Sequence, residues 1–271
     1  MDELEMDAAR RFGGLNRLYG PGAVDWLQGH VTIMVVGVGG VGSWAAEALA
    51  RSAVGHLKLL DLDQVSESNI NRQIQADSRT LGMAKVQALA QRIATYAPLC
   101  RVEQLEDFLD ENNVAQLMQT MLDLQSQGKW VAVLDCCDNA SAKTLIAQHC
   151  RRLKLPFALA GSAGGKQQPW LVQPADLRDT THDPLLAKVR YQLRKARRFD
   201  EKRKMGVPVF YSPEQIQRDA SGKTPQGGLN CAGYGSLVSV TATMGMQMAA
   251  WAITASLQQR RAHSDRAALS V

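Results

Sequence analysis

The sequence predicts an α/β fold: a doubly wound, mainly parallel sheet with flanking helices and a smaller C-terminal appendage. Short apolar runs alternate with stretches of helical composition, which is the pattern of repeated strand–helix units. The first apolar run is followed by glycines, and later runs are followed by acidic residues. Because ligands bind at the carboxyl ends of the strands in such a sheet, these glycines and acids predict a binding site there.

Length and composition fit one globular unit. The chain has 271 residues, enough to bury a sizeable core, and 45% hydrophobic with 21% charged residues are ordinary globular values. Its start, M-D-E-L-E-M-D, is acidic, whereas a secretory signal is basic and then apolar, so we expect no such signal. The cysteines are odd in number and form no C-x-x-C pair: Cys100, Cys136, Cys137, Cys150 and Cys231. They predict no disulfide framework, no structural zinc and a cytoplasmic location.

The stretch I-M-V-V-G-V-G-G-V-G-S-W, which begins at Ile33, predicts a phosphate-binding turn. Its apolar run is typical of a strand buried on both faces, and residues 43–52 have the composition of a helix. Glycines let the backbone turn sharply and approach a phosphate, and a helix start attracts anions. The glycines are Gly37, Gly39, Gly40 and Gly42. Together these elements are those of a Rossmann-like fold.

A second apolar run ends in Asp61 and Asp63. Asp61 follows Gly42 by 19 residues, about where such folds place an acid on the ribose hydroxyls. Amides and cations come next along the chain: Asn69, Asn71, Arg72, Gln73 and Lys85. An arginine and a lysine in one pocket suggest more negative charge than a pyrophosphate carries, as in a triphosphate with a scissile α–β bond. The alternative is that both are solvated surface charges.

The remaining elements of the sheet follow from apolar spacing. In chain order they are a helix over 80–96, a third strand over 100–105, a polar-faced helix over 110–124, a fourth strand over 131–134, a helix over 140–153 and a fifth strand over 156–160. The fourth strand delivers Asp135, Asp138 and Asn139 in the run D-C-C-D-N. These polar residues therefore fall at the carboxyl end of a strand, where a ligand is expected.

These motifs together resemble the adenylation core of the ubiquitin-activating-enzyme-like superfamily, which includes the enzymes that adenylate the sulfur carriers of thiamin and molybdopterin synthesis. The resemblance rests on G-V-G-G-V-G-S, L-L-D-L-D-x-V-S-x-S-N-x-N-R-Q, G-M-A-K and D-C-C-D-N, and covers roughly residues 10–165. It implies that the chain binds ATP and that Asp61 holds the ribose. It also implies that Asn69, Arg72 and Lys85 hold the phosphates and that Asp138 binds Mg²⁺.

The N-terminal residues 1–30 are expected to form an arm with an amphipathic helix and a glycine break. An ATP-binding adenylation domain over 31–175 follows, and then a basic segment and an apolar helix, 176–271, that complete the same fold. The resemblance implies a homodimer in which an arginine of the arm, Arg11 or Arg17, reaches the partner's ATP. The alternative is a helix that only packs on its own domain.

Two later segments are candidates for substrate contact. The glycine-rich loop 161–168 is either a turn or part of an acceptor pocket. Residues Lys188 to Lys204 include nine Lys and Arg among 17, interleaved with Tyr191 and Phe199, in a chain of net charge +5 and pI near 9.0. Such density suits an RNA backbone, with the rings stacked on unpaired bases. A solvated basic helix is the alternative.

The segment 235–257 contains 23 mostly apolar residues, and no charged residue occurs from 224 to 259. It is long enough to cross a bilayer. Its serines, threonines and glutamine would be costly in lipid unless paired, so we expect a buried helix at a dimer interface instead of a membrane helix.

Departures from the superfamily pattern indicate which branch of the superfamily the chain resembles. The chain lacks the two zinc-binding C-x-x-C pairs of the sulfur-carrier enzymes and the length for the extra domains of the large activating enzymes. The motifs R-F-G-G-x-x-R-L-Y-G, N-x-N-R-Q-I and G-G-L-N-C-A-G-Y-G-S resemble the tRNA threonylcarbamoyladenosine dehydratase branch. That resemblance implies ATP-dependent cyclisation of threonylcarbamoyladenosine in tRNA through adenylation of the threonyl carboxylate. Arg72, Lys85 and Asp138 would be the catalytic residues.

Several alternatives stay open. Cys231 lies in a glycine-flanked loop. It is either a nucleophile or sulfur relay, which would work with a cysteine-desulfurase or sulfur-acceptor partner, or a small buried residue without a chemical role. Two alternatives to the cyclisation reaction also stay open. The chain could adenylate the C-terminus of a ubiquitin-like sulfur carrier, or it could be a catalytically silent RNA-binding protein. An NAD oxidoreductase lacks any evident hydride-transfer constellation.

Overall fold

The computed structural model describes residues 8–196, 203–216 and 234–269. The helices are α1 (Ala8–Tyr19), α2 (Ala23–His30), α3 (Gly42–Arg51), α4 (Lys85–Ala94), α5 (Val114–Ser126), α6 (Ala140–Leu153), α7 (Pro184–Lys195) and α8 (Val238–Leu269). The strands are β1 (Val31–Val36), β2 (His56–Leu60), β3 (Arg101–Leu105), β4 (Trp130–Asp135), β5 (Phe157–Ala160), β6 (Gln173–Asp176) and β7 (Pro208–Tyr211). Cys231 and residues 197–202 of the basic segment lie outside the described residues.

The strands form one sheet in the order β3-β2-β1-β4-β5-β7-β6. All neighbours are parallel except β6 and β7, which are antiparallel. The chain winds outward from β1 through β2 to β3, and then returns to the other side of β1 with β4. The order of the strands thus reverses between β1 and β4, which is the point where sheets of this kind bind ligands. The predicted doubly wound α/β fold is confirmed.

Strand β1 is buried along its whole length, as its apolar run predicts. Successive side chains of a strand point to opposite faces of the sheet. Ile33 and Val35 accordingly pack in the core formed with α3, α4 and α8, whereas Met34 and Val36 pack in the core formed with α5, α6 and α7. Both faces of the sheet are therefore covered by helices, which is why β1 carries no alternating polar positions.

Helix α8 contains the apolar segment and packs lengthwise on α3. Met244, Met248 and Ala252 are fully buried against the first face of the sheet. Gly245 lies at the crossing with α3, where a Cβ atom would contact the carbonyl oxygen of Val41 and lie 2.8 Å from the amide nitrogen of Ala45. Among the described residues, no helix combines the length and the apolar character needed to cross a bilayer. One face of this helix is buried as expected, whereas Met246, Ala250 and Thr254 on the other face are exposed. Its place at a dimer interface stays a prediction.

The structure differs from the predicted boundaries at three helices. Helix α1 runs through Gly13 and Gly14, and the break falls at residues 20–22, where two glycines have positive φ. Helix α4 begins at Lys85 because residues 77–83 form turns in which the Thr80 hydroxyl accepts from the amide of Asp77. Helix α5 begins at Val114 because a turn of hydrogen bonds between residues 110 and 113 precedes it.

The sequence analysis does not predict strands β6 and β7. Each has four residues and contains a proline, Pro174 in β6 and Pro208 at the start of β7. Proline is confined to edge strands and strand starts, and four residues are too few to show a period of two. Strand β7 pairs with β5, so the C-terminal part of the chain extends the same sheet. The division into segments at residues 30 and 175 stays a prediction.

We expect Gly245→Ala to lower the free energy of unfolding by about 1–3 kcal/mol, because the added methyl group forces α8 away from α3. Gly29→Ala is the matched control, since it also places alanine in a helix and its Cβ meets nothing within 4 Å. The control should change stability by less than about 1 kcal/mol. Urea unfolding followed by circular dichroism measures both, and equal stabilities would contradict the close packing of α3 and α8.

Candidate active site

A cavity of about 780 Å³ opens at the carboxyl ends of the central strands. It is lined by residues that follow β1, β2, β3, β4 and β5 and by the first turn of α7. Most of the site residues predicted from the sequence line it: Gly37, Gly39, Gly40, Asp61, Asp63, Asn69, Arg72, Gln73, Lys85, Asp138 and Asn139. The fold thus brings together motifs that lie as far as about 100 residues apart in the chain.

The first glycine loop joins β1 to the start of α3. Gly37 has φ +80°, and a Cβ on it would lie 2.8 Å from the backbone of Cys137, so a larger residue would separate the loop from the end of β4. Gly42 does not line the cavity. A Cβ on it would overlap the carbonyl oxygen of Gly37, so this glycine permits α3 to pack beneath the loop. No side chain caps the start of α3, and its positive end is therefore available to an anion.

Asp61 joins the end of β2 to the glycine loop. Its carboxylate accepts a hydrogen bond from the amide of Val38 at 2.7 Å and another from the amide of Asp63 at 2.9 Å. Burial raises the pKa of Asp61, against the opposing effect of the nearby Lys85 ammonium. The Asp61 carboxylate is therefore buried and is held in one position by two backbone amides, which suits a group that binds hydroxyl groups.

Lys85, which the sequence predicts to hold a phosphate, is paired with acids at the cavity. Its ammonium nitrogen lies 2.6 Å from the Asp63 carboxylate and 4.0 Å from that of Asp61. The Asp63 side chain is 72% exposed, whereas that of Lys85 is 8% exposed. The buried lysine is thus held at the cavity by an acid whose own side chain is largely exposed to solvent.

The segment after β2 contributes Asn69, Arg72 and Gln73 to the cavity and leaves Asn71 outside it. The Arg72 guanidinium donates to the carbonyl oxygen of Ser68 at 2.5 Å and to the Asn71 side chain at 3.0 Å. The Asn71 amide group in turn donates to the carbonyl oxygen of Ser236 at 3.0 Å. The structure therefore gives Asn71 the position of a support for Arg72.

The D-C-C-D-N run contains two kinds of polar residue. The Asn139 side chain accepts from the amides of Ser141 and Ala142 and so caps α6. Asp138 lines the cavity, and its carboxylate makes no hydrogen bond or ion pair with any described residue. No cluster of three metal-ligating side chains occurs among the residues described. One carboxylate still fits Mg²⁺, which often binds through one or two carboxylates together with substrate phosphates and water.

A buried ion pair that the sequence analysis missed supports this run from below. The Lys143 ammonium lies 3.1 Å from the Asp135 carboxylate, and neither side chain is exposed. The same carboxylate accepts from the amide of Cys137 at 3.1 Å. Burial lowers the pKa of Lys143, but the combined effects of Asp135, Cys137 and Cys136 and of the hydrogen bond to Asp135 raise it above its usual value. The only sequence signal was a lysine within the otherwise apolar face of α6.

The second glycine-rich loop, 161–168, also reaches the cavity, through residues 161–164. The Asp183 carboxylate accepts from the amide of Ser162 at 2.8 Å, and a Cβ on Gly161 would overlap that carboxylate. Lys166 is buried and donates to the carbonyl oxygens of residues 182, 212 and 214. The Glu214 carboxylate accepts from the amides of residues 167 and 168. Three buried charges therefore hold this loop, none of which the sequence analysis predicted.

The remaining candidates lie apart from the cavity or outside the described residues. Arg11 donates to the carbonyl oxygen of Tyr96 at 2.9 Å, and neither it nor Arg17 lines the cavity of its own chain. Cys231 belongs to the residues that the structure does not describe. The four other cysteines are poor nucleophiles, because burial raises the pKa of Cys100 and of Cys136 to about 12 and raises that of Cys137 and of Cys150 well above its usual value.

The chain is similar in sequence and in structure to known proteins. The model of the ThiF family matches residues 20–270. The chain is 40% identical over 248 residues to the tRNA threonylcarbamoyladenosine dehydratase of Escherichia coli, a match that covers 87% of this chain and 89% of that one. It is 38% identical over 242 residues to the enzyme of that name from Haemophilus influenzae, with the same coverage. A crystal structure of the Escherichia coli enzyme in complex with ATP superposes with a TM-score of 0.81 at 38% identity, over 94% of this chain and 98% of that one.

We expect the four described cysteines to resist alkylation in the native protein. At pH 8 a thiol with a pKa of about 12 is ionised roughly 1,000-fold less than one with a pKa of about 9, and the thiolate is the reactive form. Iodoacetamide labelling followed by peptide mass spectrometry should therefore modify them at least 100-fold more slowly than in urea. Their native rates should rise with pH beyond pH 9. Rapid native labelling of Cys136 would contradict the assigned burial.

Proposed function

This chain belongs to the ThiF family, and from that premise we propose that it is an ATP-dependent tRNA threonylcarbamoyladenosine dehydratase. The observation that carries the proposal is the convergence of the glycine loop, Asp61, Arg72, Lys85 and Asp138 on one cavity. Relatives that bear this name match the chain over 87% of its length. The alternative, adenylation of a sulfur-carrier protein, finds no support in the sequence, which lacks the paired cysteines typical of those enzymes.

The two ends of the cavity would bind different parts of the reaction partners. At the end formed by β1 and β2, the glycine loop and the start of α3 would bind phosphates, and Asp61 would accept from the ribose hydroxyls. At the end formed by loop 161–168 and α7, the cavity is left for the acceptor. The nucleotide and the acceptor carboxylate would then meet between the two glycine-rich loops.

Lys85 can serve the phosphates although it pairs with Asp63 here. An ion pair with an exposed partner contributes little stability, because water solvates the released carboxylate. A triphosphate carries more charge than one aspartate, so the ammonium group would exchange Asp63 for a phosphate oxygen. Arg72, held by Ser68 and Asn71, supplies a second cation that is already positioned.

The chemistry follows from the poor leaving group of a carboxylate. Attack of the threonyl carboxylate on the α-phosphorus of ATP forms an acyl-adenylate and releases pyrophosphate, and the leaving group at the carbonyl carbon becomes AMP. The carbamoyl group of the same molecule then attacks that carbon and expels AMP, which carries away the oxygen lost as water. Because the attack is intramolecular, proximity supplies much of the acceleration. Arg72 and Lys85 would stabilise the negative charge that builds on the phosphates.

Mg²⁺ would be held by Asp138 together with the phosphates of ATP. Bound there, it would neutralise part of the phosphate charge and so make the phosphorus more electrophilic. The open carboxylate of Asp138, in a cavity whose other acids are largely engaged with protein groups, supports this assignment.

We further propose that the chain works as a cytoplasmic homodimer in which Arg11 or Arg17 contacts the ATP of the partner. Both arginines are exposed in their own chain, and α1 carries them on its solvent side. A sulfur-transfer partner, such as a cysteine desulfurase acting through Cys231, is not required by the cyclisation.

Incubation with ATP, Mg²⁺ and tRNA bearing threonylcarbamoyladenosine should remove one water from that nucleoside, as nucleoside mass spectrometry detects. We expect Asp138→Asn to slow the reaction roughly 100-fold or more, because it removes the metal-binding charge while keeping the shape of the side chain. Asp123→Asn, on the exposed face of α5, is the control and should react at the wild-type rate. ATP-dependent turnover that is unaffected in Asp138→Asn would contradict the role of Asp138, and no loss of water in the wild type would contradict the proposed function.

A further inference from the structure

Helix α7 begins at the cavity and leads away from it. Pro184 and Leu185, its first residues, line the cavity, and Asp183 caps the helix by accepting from the amide of Leu186 at 3.0 Å. The helix has 12 residues. At a rise of 1.5 Å per residue it extends roughly 18 Å from the cavity.

The two faces of α7 differ sharply. Leu185, Leu186, Val189 and Leu193 are buried against α6 and the sheet. The opposite face carries an exposed stripe at spacings of four, three and four residues, which places its members in one line along the helix. We call these residues the α7 stripe: Pro184, Lys188, Tyr191 and Lys195.

Among the described residues, no polar contact ties the side chains of the stripe to the rest of the fold. The ammonium groups of Lys188 and Lys195 make no hydrogen bond or ion pair with any described residue, and the Tyr191 side chain is 65% exposed. Arg190 on the same helix shows the contrast, because its guanidinium donates to the carbonyl oxygens of residues 177 and 180 and serves the fold. Cations in the last turn of a helix interact favourably with its dipole, which explains a lysine at position 195. Lys188 lies in the middle of the helix, where this interaction is absent.

Helix α6 continues the positive surface at the far end of the stripe. It packs beside α7, with the Thr144 hydroxyl 2.7 Å from the Gln192 side-chain oxygen. Both helices begin at the cavity and run in the same direction, and because Thr144 lies beside Gln192, α6 extends beyond the end of α7. Arg152 and Lys154 are exposed there. A positive surface therefore leads from the cavity along α7 and widens at its end.

We propose that the α7 stripe binds the RNA strand that carries the modified adenosine, with Lys188 and Lys195 on phosphates and Tyr191 stacked on an unpaired base. The inference rests on the proposed function and names the surface through which the substrate is held. The two lysines are seven residues apart, about 10 Å along the helix, which spans about three stacked nucleotides at 3.4 Å each. An exposed ring between two cations is the arrangement that binds single-stranded nucleic acid without reading its sequence.

The first test removes the two charges. In Lys188→Ala/Lys195→Ala we expect KM for tRNA to rise about tenfold at 0.15 M salt, with kcat at saturating tRNA and the Kd for ATP each within twofold of the wild type. The slope of log KM against log salt should fall by about 1.4, which is 0.7 for each lost phosphate contact of a single strand.

The matched control is Arg101→Ala/Lys129→Ala. These two cations lie at the amino ends of β3 and β4, whereas the cavity lies at the carboxyl ends of the strands. The control removes the same net charge from the chain and should keep both KM and the salt slope. Equal KM values and slopes for the two double variants would overturn the inference, as would a loss confined to kcat or to ATP binding.

The second test addresses the ring. Tyr191→Ala should raise KM for tRNA roughly five- to fifty-fold without changing the salt slope, whereas Tyr191→Phe should remain within twofold of the wild type, because stacking needs the ring and not the hydroxyl. Equal effects of the two substitutions would overturn the stacking role.

Binding of tRNA measured without turnover separates the two proposals. Wild-type dehydration together with unaltered tRNA binding by the lysine variant would refute the α7 stripe alone. Lysine-dependent binding of tRNA without dehydration by the wild type would refute the proposed function and retain the surface. An acidic protein partner that loses affinity for the lysine variant while tRNA does not would also overturn the inference.

Discussion

The parallel pairing of β1 with β2 and β4 is the constraint on which the site depends. Hydrogen bonds between neighbouring strands continue past their ends and into the loops that line the cavity. The amide of Gly37 donates to the carbonyl oxygen of Leu60 at 2.7 Å, and that of Cys136 donates to Val36 at 2.8 Å. The loops after β1 and β4 are therefore extensions of the sheet, with little freedom of their own. A change of register by one residue would turn the side chains of the shifted strand to the opposite face of the sheet.

Charges in this protein fall into two classes according to whether the fold has supplied their partners. The buried charges beneath the cavity are satisfied by protein groups, as Lys143 is by Asp135 and Lys166 by three carbonyl oxygens. Breaking such a pair leaves an uncompensated buried charge, which is strongly destabilising. Asp138 and the lysines of the α7 stripe lack partners among the described residues. Their place at the cavity and on the helix leading from it is why we propose that they bind ligands.

The nucleotide end of the cavity is held in place before any ligand enters. Asp61 is fixed by two backbone amides, and Arg72 is fixed by Ser68 and Asn71. Preorganised donors and acceptors stabilise developing charge without reorganisation during the reaction, which is the usual origin of large electrostatic effects in enzymes. Lys85 differs, because its ammonium group is paired with the exposed Asp63 carboxylate. Under the proposed function it would exchange that carboxylate for a phosphate oxygen.

The sequence alone predicted the first five strands, the glycine turn after β1 and most of the polar residues at this end of the cavity. Each of these is a local signal, since an apolar run, a glycine turn and the residue that follows a strand are adjacent in the chain. Only the tertiary structure decided that Gly42 supports the loop from below, that Asn71 positions Arg72 and that Lys85 pairs with Asp63. It also decided the two short proline-containing strands and the buried partners of loop 161–168. These depend on how the chain folds back on itself in three dimensions: Asn71 reaches Ser236, and Glu214 reaches loop 161–168. Such contacts leave no periodic pattern in a single sequence.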